Sequence, residues 1–358
     1  MKRIKILYRT INALLTLLLL NPLLSRSQED LGYQKPPKEI LELVDIERAP
    51  QVRINEKADK MVLLYRNAYK SISELSEKEM RLGGLRINPK YNIGSRITYN
   101  TGIEVKSPKD DSGTRIKGLP ENPKLAYFTW SPDQKSMVFT HTGFDGVELW
   151  HLNIDNASAK RLGTLVLNAN MGKPYKWFPD GKSLLVRAAV SDQSKLIDSK
   201  NTVPSGPTIS SSTGSKAQNR TYQDLLQNKN DEFNFEQLSK SELHQINLDG
   251  SNKKWADAAM YRSTSFSPNG DLVLVSTIQQ PFSYLVPYYR FPQKTNLYKN
   301  TGEFIKVIDE VPLIEDLPKG FMSARKGKRS ISWRADRDAT LYWAEALDGG
   351  DPAVAVDY

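Results

Sequence analysis

The side chains that could carry chemistry are few. Cysteine is absent, so thiolate zinc sites, disulfide scaffolds and cysteine nucleophiles are excluded. The three histidines are His141, His151 and His244, and no two lie three to five residues apart. A histidine-rich metal site is therefore not expected. Asp348, Asp351 and Asp357 could frame an oxygen-rich calcium loop, but a solvated turn between strands is the favoured reading. The pairs Asp110-Asp111 and Asp231-Glu232 read as solvated turn charges, and His141 and His151 as packed or surface histidines beside one hairpin. Arg325, Lys326, Lys328 and Arg329 make the densest basic cluster. No cofactor-binding or metal-ligating residue is assigned.

Positive charge is spread rather than grouped. Lysine and arginine total 50 against 41 acids, a formal charge of +9. Five of these cations (Lys2, Arg3, Lys5, Arg9 and Arg26) fall within residues 1–27, and setting them aside leaves 45 against 41. No basic block interleaved with aromatics stands out in the rest, which removes the main support for nucleic-acid binding. The six tryptophans, among them Trp130, Trp177 and Trp333, read as core residues rather than as a stacking platform.

Residues 1–27 have the pattern of a secretory leader. A cationic start precedes a mostly apolar run from Ile11 to Leu20, extended by Leu23-Leu24, and Ser25-Arg26-Ser27 offers small residues at a cleavage site. The run is short for a membrane span, which needs about 20 residues. The expectation is an exported chain, periplasmic or secreted, with no membrane span after cleavage.

The elements that must position any site come from a repeat. Four segments align: Phe128 to His141, Tyr175 to Ala188, Thr264 to Thr277 and Ile331 to Ala344, with a weaker copy from Val52 to Arg66. In each, an aromatic or aliphatic anchor closes a strand: Trp130, Trp177, Phe266, Trp333 and Ile54. A turn such as Pro179-Asp180-Gly181 or Pro268-Asn269-Gly270 follows, then a β-rich run such as Leu272-Val273-Leu274-Val275. Repeated hairpins of this kind predict an all-β chain built as a β-propeller. Anchor spacings are 76, 47, 89 and 67 residues. A four-stranded blade takes about 40–50, so the Trp130–Trp177 interval is one clean blade and the others carry insertions. Gly146–Leu152 and Glu242–Leu248 read as outer strands ending in turns.

The expected organisation is a leader at 1–27, an N-terminal arm at 28–49 and a partial propeller at 50–358. An insertion in the third blade covers about 190–243. Its first part, Ser191 to Thr221, has the composition of a flexible loop. Its second, Tyr222 to Leu243, mixes Leu225, Leu226, Phe233, Phe235 and Leu238 with polar residues and could hold a short helix over one face. Five anchors predict about four to five blades.

Longer strings carry a resemblance. These are Tyr33 to Pro37, Ile40 to Asp45, Leu85-Arg86-Ile87, Asn92 to Arg96, Gly146 to Trp150, Arg220 to Leu226, Pro281 to Pro287 with Arg290-Phe291-Pro292, Arg329 to Asp336 and Glu345 to Pro352. Through them the chain resembles the N-terminal part of the glutamyl endopeptidase-like serine peptidases of the prolyl oligopeptidase family. The resemblance implies a seven-bladed propeller covering a C-terminal α/β-hydrolase with a Ser-Asp-His triad. The serine sits on a Gly-x-Ser-x-Gly elbow. It implies peptide hydrolysis through an acyl-enzyme, cleavage after glutamate, and a propeller that admits peptides or unfolded chains and turns away folded proteins.

No Gly-x-Ser-x-Gly occurs in these 358 residues. Pro204-Ser205-Gly206-Pro207 and Thr213-Gly214-Ser215 lack the strand-turn-helix context, and the histidines fall within or beside hairpins. The expectation is therefore no catalytic residue in this chain, no hydrolase domain, and a propeller incomplete against an expected seven blades. A glutamate-selecting peptidase needs a cation near its pocket. Arg290 and the Arg325–Arg329 cluster are candidates, with a solvated basic loop as the plainer reading. The expected function is a wall and filter of a peptidase whose partners are a peptide substrate and a hydrolase domain. The rival is a self-contained exported propeller that binds a protein or other ligand. A carbohydrate-active propeller would want paired carboxylates from facing blades, and no residue favours it.

Overall fold

A computed structural model describes residues 32–192, 194–198, 201–203, 206–207 and 221–357. The leader expected at 1–27 and the Ser210-Ser211-Ser212 centre of the insertion lie outside the described residues. The chain divides into two compact units, Met1–Glu47 and Arg48–Tyr358. In the first, a helix α1 (Lys38–Val44) starts behind Pro37 and buries none of its residues.

The second unit is built of consecutive antiparallel sheets, and the expected all-β propeller architecture is what the strands form. Its first sheet takes β1 (Gln51–Ile54) and β2 (Met61–Tyr65) from the weak repeat. Between β2 and the next strand of the sheet lie a one-turn helix α2 (Ile72–Leu75) and a separate three-stranded sheet, β3 (Met80–Leu82), β4 (Leu85–Asn88) and β5 (Ile93–Gly94). The sheet is completed by β6 (Gly102–Lys106) and β7 (Thr114–Arg115). The second sheet is β8 (Leu125–Trp130), β9 (Ser136–Thr142), β10 (Val147–Asn153) and β11 (Ser158–Arg161). The third has β12 (Tyr175–Trp177) and β13 (Ser183–Ala188), then helix α3 (Lys229–Ser239), then β14 (Ser241–Asn247) and β15 (Asn252–Ala259). The fourth is β16 (Tyr261–Phe266), β17 (Leu272–Ile278), β18 (Gln293–Lys299) and β19 (Phe304–Val311). A last hairpin pairs β20 (Arg329–Trp333) with β21 (Leu341–Ala344). Each four-stranded sheet runs in sequence order from its first strand to its fourth, as a propeller blade does.

Side-chain alternation explains the stacking. Second strands carry apolar residues on both faces, which is what a sheet sandwiched between two others requires. In β9, Met137 and Phe139 pack with Val62, Leu64 and Ile103 of the first sheet, while Val138 packs with Trp177 and Leu184 of the third. In β17, Val273 and Val275 pack toward the third sheet, and Leu274 packs with Trp333 of the last hairpin. The anchors Trp177, Phe266 and Trp333 are buried in these inter-sheet layers. Ile54 differs: all of β1 is exposed, so the weak copy keeps the hairpin but not the buried anchor. Trp343 is also exposed, with the Lys328 ammonium over its ring, so it is not a core tryptophan.

First strands of successive sheets stand side by side. The Tyr175 hydroxyl reaches the Tyr127 carbonyl and Thr129 Oγ1, Lys176 Nζ donates to the Thr264 carbonyl, and Trp333 Nε1 donates to the Ser265 carbonyl. The first turns of successive sheets also touch. Glu56 N donates to Gln134 Oε1 at 3.3 Å, and Asn269 N donates to the Asp338 carbonyl at 3.1 Å. A Cβ on Gly181 would sit 3.5 Å from Pro132, and one on Gly270 would sit 3.4 Å from Pro179. The repeated proline and glycine therefore do more than reverse the chain. The glycine of one turn leaves room for the proline of the turn before it. Among the described residues no helix is long and apolar enough to cross a membrane.

Candidate functional site

Strand alternation sorts the connections onto two faces. In an antiparallel sheet, the links from strand one to two and from three to four leave one end, and the link from two to three leaves the other. The first-turn contacts place the former links of neighbouring sheets together. They are short: residues 131–135, 178–182, 248–251, 267–271 and 300–303 hold turns and little else. The links from strand two to three include the long ones, at 66–101, 189–240 and 279–292.

These three long links converge. Gly83 and Gly84 form the β3–β4 turn, both with positive φ. Gly84 N donates to the Asp224 carbonyl at 2.8 Å, and Tyr288 N donates to the Gly83 carbonyl at 2.7 Å. One backbone turn thus joins all three links. A Cβ on Gly84 would lie 2.8 Å from Pro287 Cβ, so only glycine fits that approach. Around the junction, Leu82, Ile87, Leu226, Phe235, Leu238, Val286 and Phe291 form one buried cluster. Phe235 meets Phe282 and Phe291 edge-on at 5.2 and 5.5 Å. The helix anticipated in the insertion is α3, capped by the Asn228 side chain accepting from Asp231 N.

Polar contacts close the same layer. Arg86 Nε donates to Asp224 Oδ2 at 2.6 Å. Glu79 accepts from Ser95 Oγ at 2.6 Å, Arg96 Nε at 3.0 Å and Arg81 Nε at 2.9 Å. Desolvation raises the Glu79 carboxyl, but these three donors outweigh it and hold it at about 2. Tyr284 donates its hydroxyl proton to Glu232 Oε1 at 2.6 Å, and Asn170 Nδ2 donates to the Leu238 carbonyl at 2.8 Å. Asp231 and Glu232 are therefore structural: they sit in the first turn of α3, where acids suit the helix dipole.

Exposed apolar residues mark the same face. Among the described residues, and outside the strands of the second unit, the large exposed hydrophobics are Tyr69, Ile72, Leu75, Phe144, Val203, Leu285 and Tyr289 on two-to-three links, and Phe321 and Met322 on the link into β20. Leu347 and Val354 follow the second strand of the last hairpin. Among the described residues, the short turns of the opposite face carry none.

Beside the layer, a cavity of 250 Å³ opens between the third and fourth sheets. Lys173, Lys176, Arg187 and Arg262 line it, and no carboxylate does. Arg187 spends its guanidinium on four carbonyls, those of Met171, Gly172, Lys173 and Tyr261. Desolvation lowers it to about 10, which leaves it charged at neutral pH. Nothing in the sequence signalled this cluster, because its members come from four strands and links that the fold alone brings together.

The residues singled out from sequence are otherwise occupied. Arg290 stacks over the Tyr222 ring at 5.6 Å. Arg325 donates to the Lys326 and Lys328 carbonyls and lies 3.7 Å from Asp309. His141 Nδ1 is 3.1 Å from Glu148 Oε2, which also accepts from Trp150 Nε1. His244 lies 3.1 Å from Glu242. Among the described residues, neither histidine addresses a serine. Burial lowers His151, helped by the Lys160 charge. Asp348 and Asp351 accept from Gly350 N and Ala353 N within their own turn. Asp110 accepts from Ser107 N, again a turn contact. Among the described residues, no group of acids and histidines is placed to hold a metal ion.

No family model matches the chain. Over 341 residues it is 36% identical to the probable chloroplastic glutamyl endopeptidase of Oryza sativa subsp. japonica, an overlap of 91% of this chain and 36% of that protein. Over 339 residues it is 34% identical to the Arabidopsis thaliana protein of the same name, covering 91% and 35%. The chain thus spans about a third of the length of the curated relatives it matches. A solved acylaminoacyl peptidase from Pyrococcus horikoshii is 15% identical, with a TM-score of 0.39, over 76% of this chain and 34% of that one.

Proposed function

Because the chain is a sequence relative of the glutamyl endopeptidases and folds into propeller blades, we propose that it is the access-controlling part of a serine peptidase. In this reading the face built by the long links packs against a hydrolase portion, and substrates reach the nucleophile only past the propeller. The observation that carries it is the one-sided placement of exposed apolar side chains. Phe144, Leu285, Tyr289, Phe321 and Met322 belong to one face, and an apolar patch on a folded surface marks a contact site.

The rigid layer under that face supports the same role. A filter must hold its shape against the chains it rejects, and the Gly84–Asp224 and Tyr288–Gly83 bonds tie the links of three sheets into one unit. The leader pattern at 1–27 supports export to an oxidising compartment, where the lack of cysteine precludes mis-bridging.

Charge insertion tests the reading. Phe144→Glu with Leu285→Glu is expected to weaken association between this chain and its hydrolase portion at least tenfold. The same two charges at Asn156 and Thr301, exposed residues of the opposite face, should leave association unchanged. Equal loss from both pairs would overturn the proposal. Unimpaired association of the Phe144/Leu285 variant would leave the rival, a propeller that binds some other protein, as the better account.

A further inference from the structure

A cavity of 710 Å³ opens where the long link of the first sheet meets the segment entering the second. Its walls come from residues 66–74 after β2, 98–101 before β6 and 122–124 before β8, and Arg48 completes the lining. Backbone bonds tie these walls together. Thr101 N donates to the Tyr65 carbonyl at 2.7 Å, Asn100 N to the Leu125 carbonyl at 2.8 Å, and Leu125 N back to the Asn100 carbonyl at 2.9 Å. The cavity is therefore held open by the fold, and its volume falls within the ~300–1,000 Å³ usual for small-molecule sites.

The lining carries four cations, Arg48, Arg66, Lys70 and Lys124, against one carboxylate, Glu74. Glu74 is spent on a capping box, accepting from Ser71 N and Ser71 Oγ. Lys124 is spent too, 3.7 Å from Glu77 and over the Tyr91 and Tyr99 rings. Lys70 Nζ donates to the Ser95 carbonyl at 3.2 Å and keeps other donors free. Arg48 and Arg66 are exposed and, among the described residues, have no hydrogen-bond or ion-pair partner. Elsewhere on the same face the pattern is the opposite: Arg81, Arg86 and Arg96 all pair with Glu79 or Asp224. Two unused guanidiniums beside an ammonium repel one another, and a doubly charged anion relieves that repulsion. A phosphate monoester, at about −1.5 to −2 near pH 7, supplies the charge. Its oxygens also match the guanidinium fork.

The remaining lining is mostly polar and neutral. Asn67, Thr98, Thr101 and Asn122 are exposed, and among the described residues their side chains make no hydrogen bond. Amides and hydroxyls both donate and accept, as the hydroxyls of a sugar do. Tyr69 presents an exposed ring, an apolar face for the C–H side of a sugar. Apart from the tyrosines, Ala68 and Pro123 are the apolar lining among the described residues, which suits neither an acyl chain nor a large apolar side chain.

We propose that this cavity binds a phosphorylated sugar, with Arg48 and Arg66 on the phosphate and Asn67 and Thr98 on the sugar hydroxyls. The site lies outside the access-controlling role and takes nothing from it. Ile72 and Leu75, exposed on the same link, do not line the cavity, so they remain part of the apolar face.

Isothermal titration calorimetry of the full chain with glucose 6-phosphate, glucose and inorganic phosphate tests the site. Glucose 6-phosphate is expected to bind about tenfold more tightly than either part alone. Arg48→Gln with Arg66→Gln should bring its affinity down to that of glucose. Asn67→Ala with Thr98→Val should bring it down to that of inorganic phosphate, and leave the binding of inorganic phosphate unchanged. Lys326→Gln with Lys328→Gln, in the basic cluster before β20, should change neither. Thermal melts of each variant report folding separately. Four results would each overturn the proposal: no binding of glucose 6-phosphate, glucose binding as tightly, inorganic phosphate binding as tightly (an adventitious ion only), or equal loss in the Arg48/Arg66 and Lys326/Lys328 variants. None of these bears on whether the apolar face docks a hydrolase, so the two readings fail separately.

Discussion

Arg86 Nε and Asp224 Oδ2 lie 2.6 Å apart, although 138 residues separate them along the chain. The pair joins the small β3–β5 sheet to the segment that leads into α3. Asp224 itself holds a positive φ of 59°, which asparagine also tolerates. Asp224→Asn should therefore keep the backbone and lose only the charge. We expect faster hydrogen exchange at residues 222–238 and 285–291, with β9, β13 and β17 unchanged. Uniform acceleration across all sheets would show that the layer is not a separate cooperative unit.

Two glycines with nearly the same φ separate packing from strain. Gly84 has φ +87° and a Cβ position 2.8 Å from Pro287, whereas Gly172 has φ +88° and nothing within 4 Å. Gly172→Ala should cost about 1–2 kcal/mol, from the left-handed backbone alone. Gly84→Ala adds the clash and should cost about 2–4 kcal/mol. Urea unfolding of both variants measures the difference.

Phe235 is fully buried within a three-ring group, and Phe144 is almost fully exposed. Phe235→Ala should destabilise by about 3–5 kcal/mol, the range for emptying a packed aromatic site. Phe144→Ala should stay within about 0.5 kcal/mol. A stability cost at Phe144 would argue against its role as a contact residue.

The blades are legible in the sequence. Trp177, Phe266 and Trp333 mark buried anchors and Trp130 a half-buried one, and the Pro-Asp-Gly and Pro-Asn-Gly turns mark the hairpins, because both signals are local. Ile54 showed the limit of that signal: the hairpin formed, but the anchor faces solvent. The layer was legible only in part. Tyr222 to Leu243 suggested a helix, and α3 is there. The β3–β5 sheet was missed, since strands of two to four residues leave no periodicity to read. Its meeting with Asp224 and Tyr288 depends on contacts across more than 130 residues, which composition does not encode. The basic cavity was invisible for the same reason. Four of the strings that carry the resemblance, 85–87, 92–96, 220–226 and 281–287 with 290–292, give one hint, since their described residues lie on the links that meet in the layer.

Acid should loosen the layer through Glu79. Its folded value, about 2, lies below the ordinary 4.5, so the unfolded chain takes up the proton first as pH falls. The stabilisation is complete above about pH 4.5 and is lost between 4.5 and 2. The stability difference between the native chain and Glu79→Gln should shrink across that window and be constant above it. A difference that is already changing between pH 6 and 8 would assign the effect to another group.

In the proposed function, one face of this propeller, the face of the long links, meets the hydrolase portion of a peptidase. Hydrogen-exchange mass spectrometry of the chain alone and of the chain together with that portion tests it most directly. New protection is expected at residues 69–76, 143–146 and 283–291, and none at the turns 131–135, 178–182 and 267–271. Protection confined to those turns, or none at either face, would contradict it.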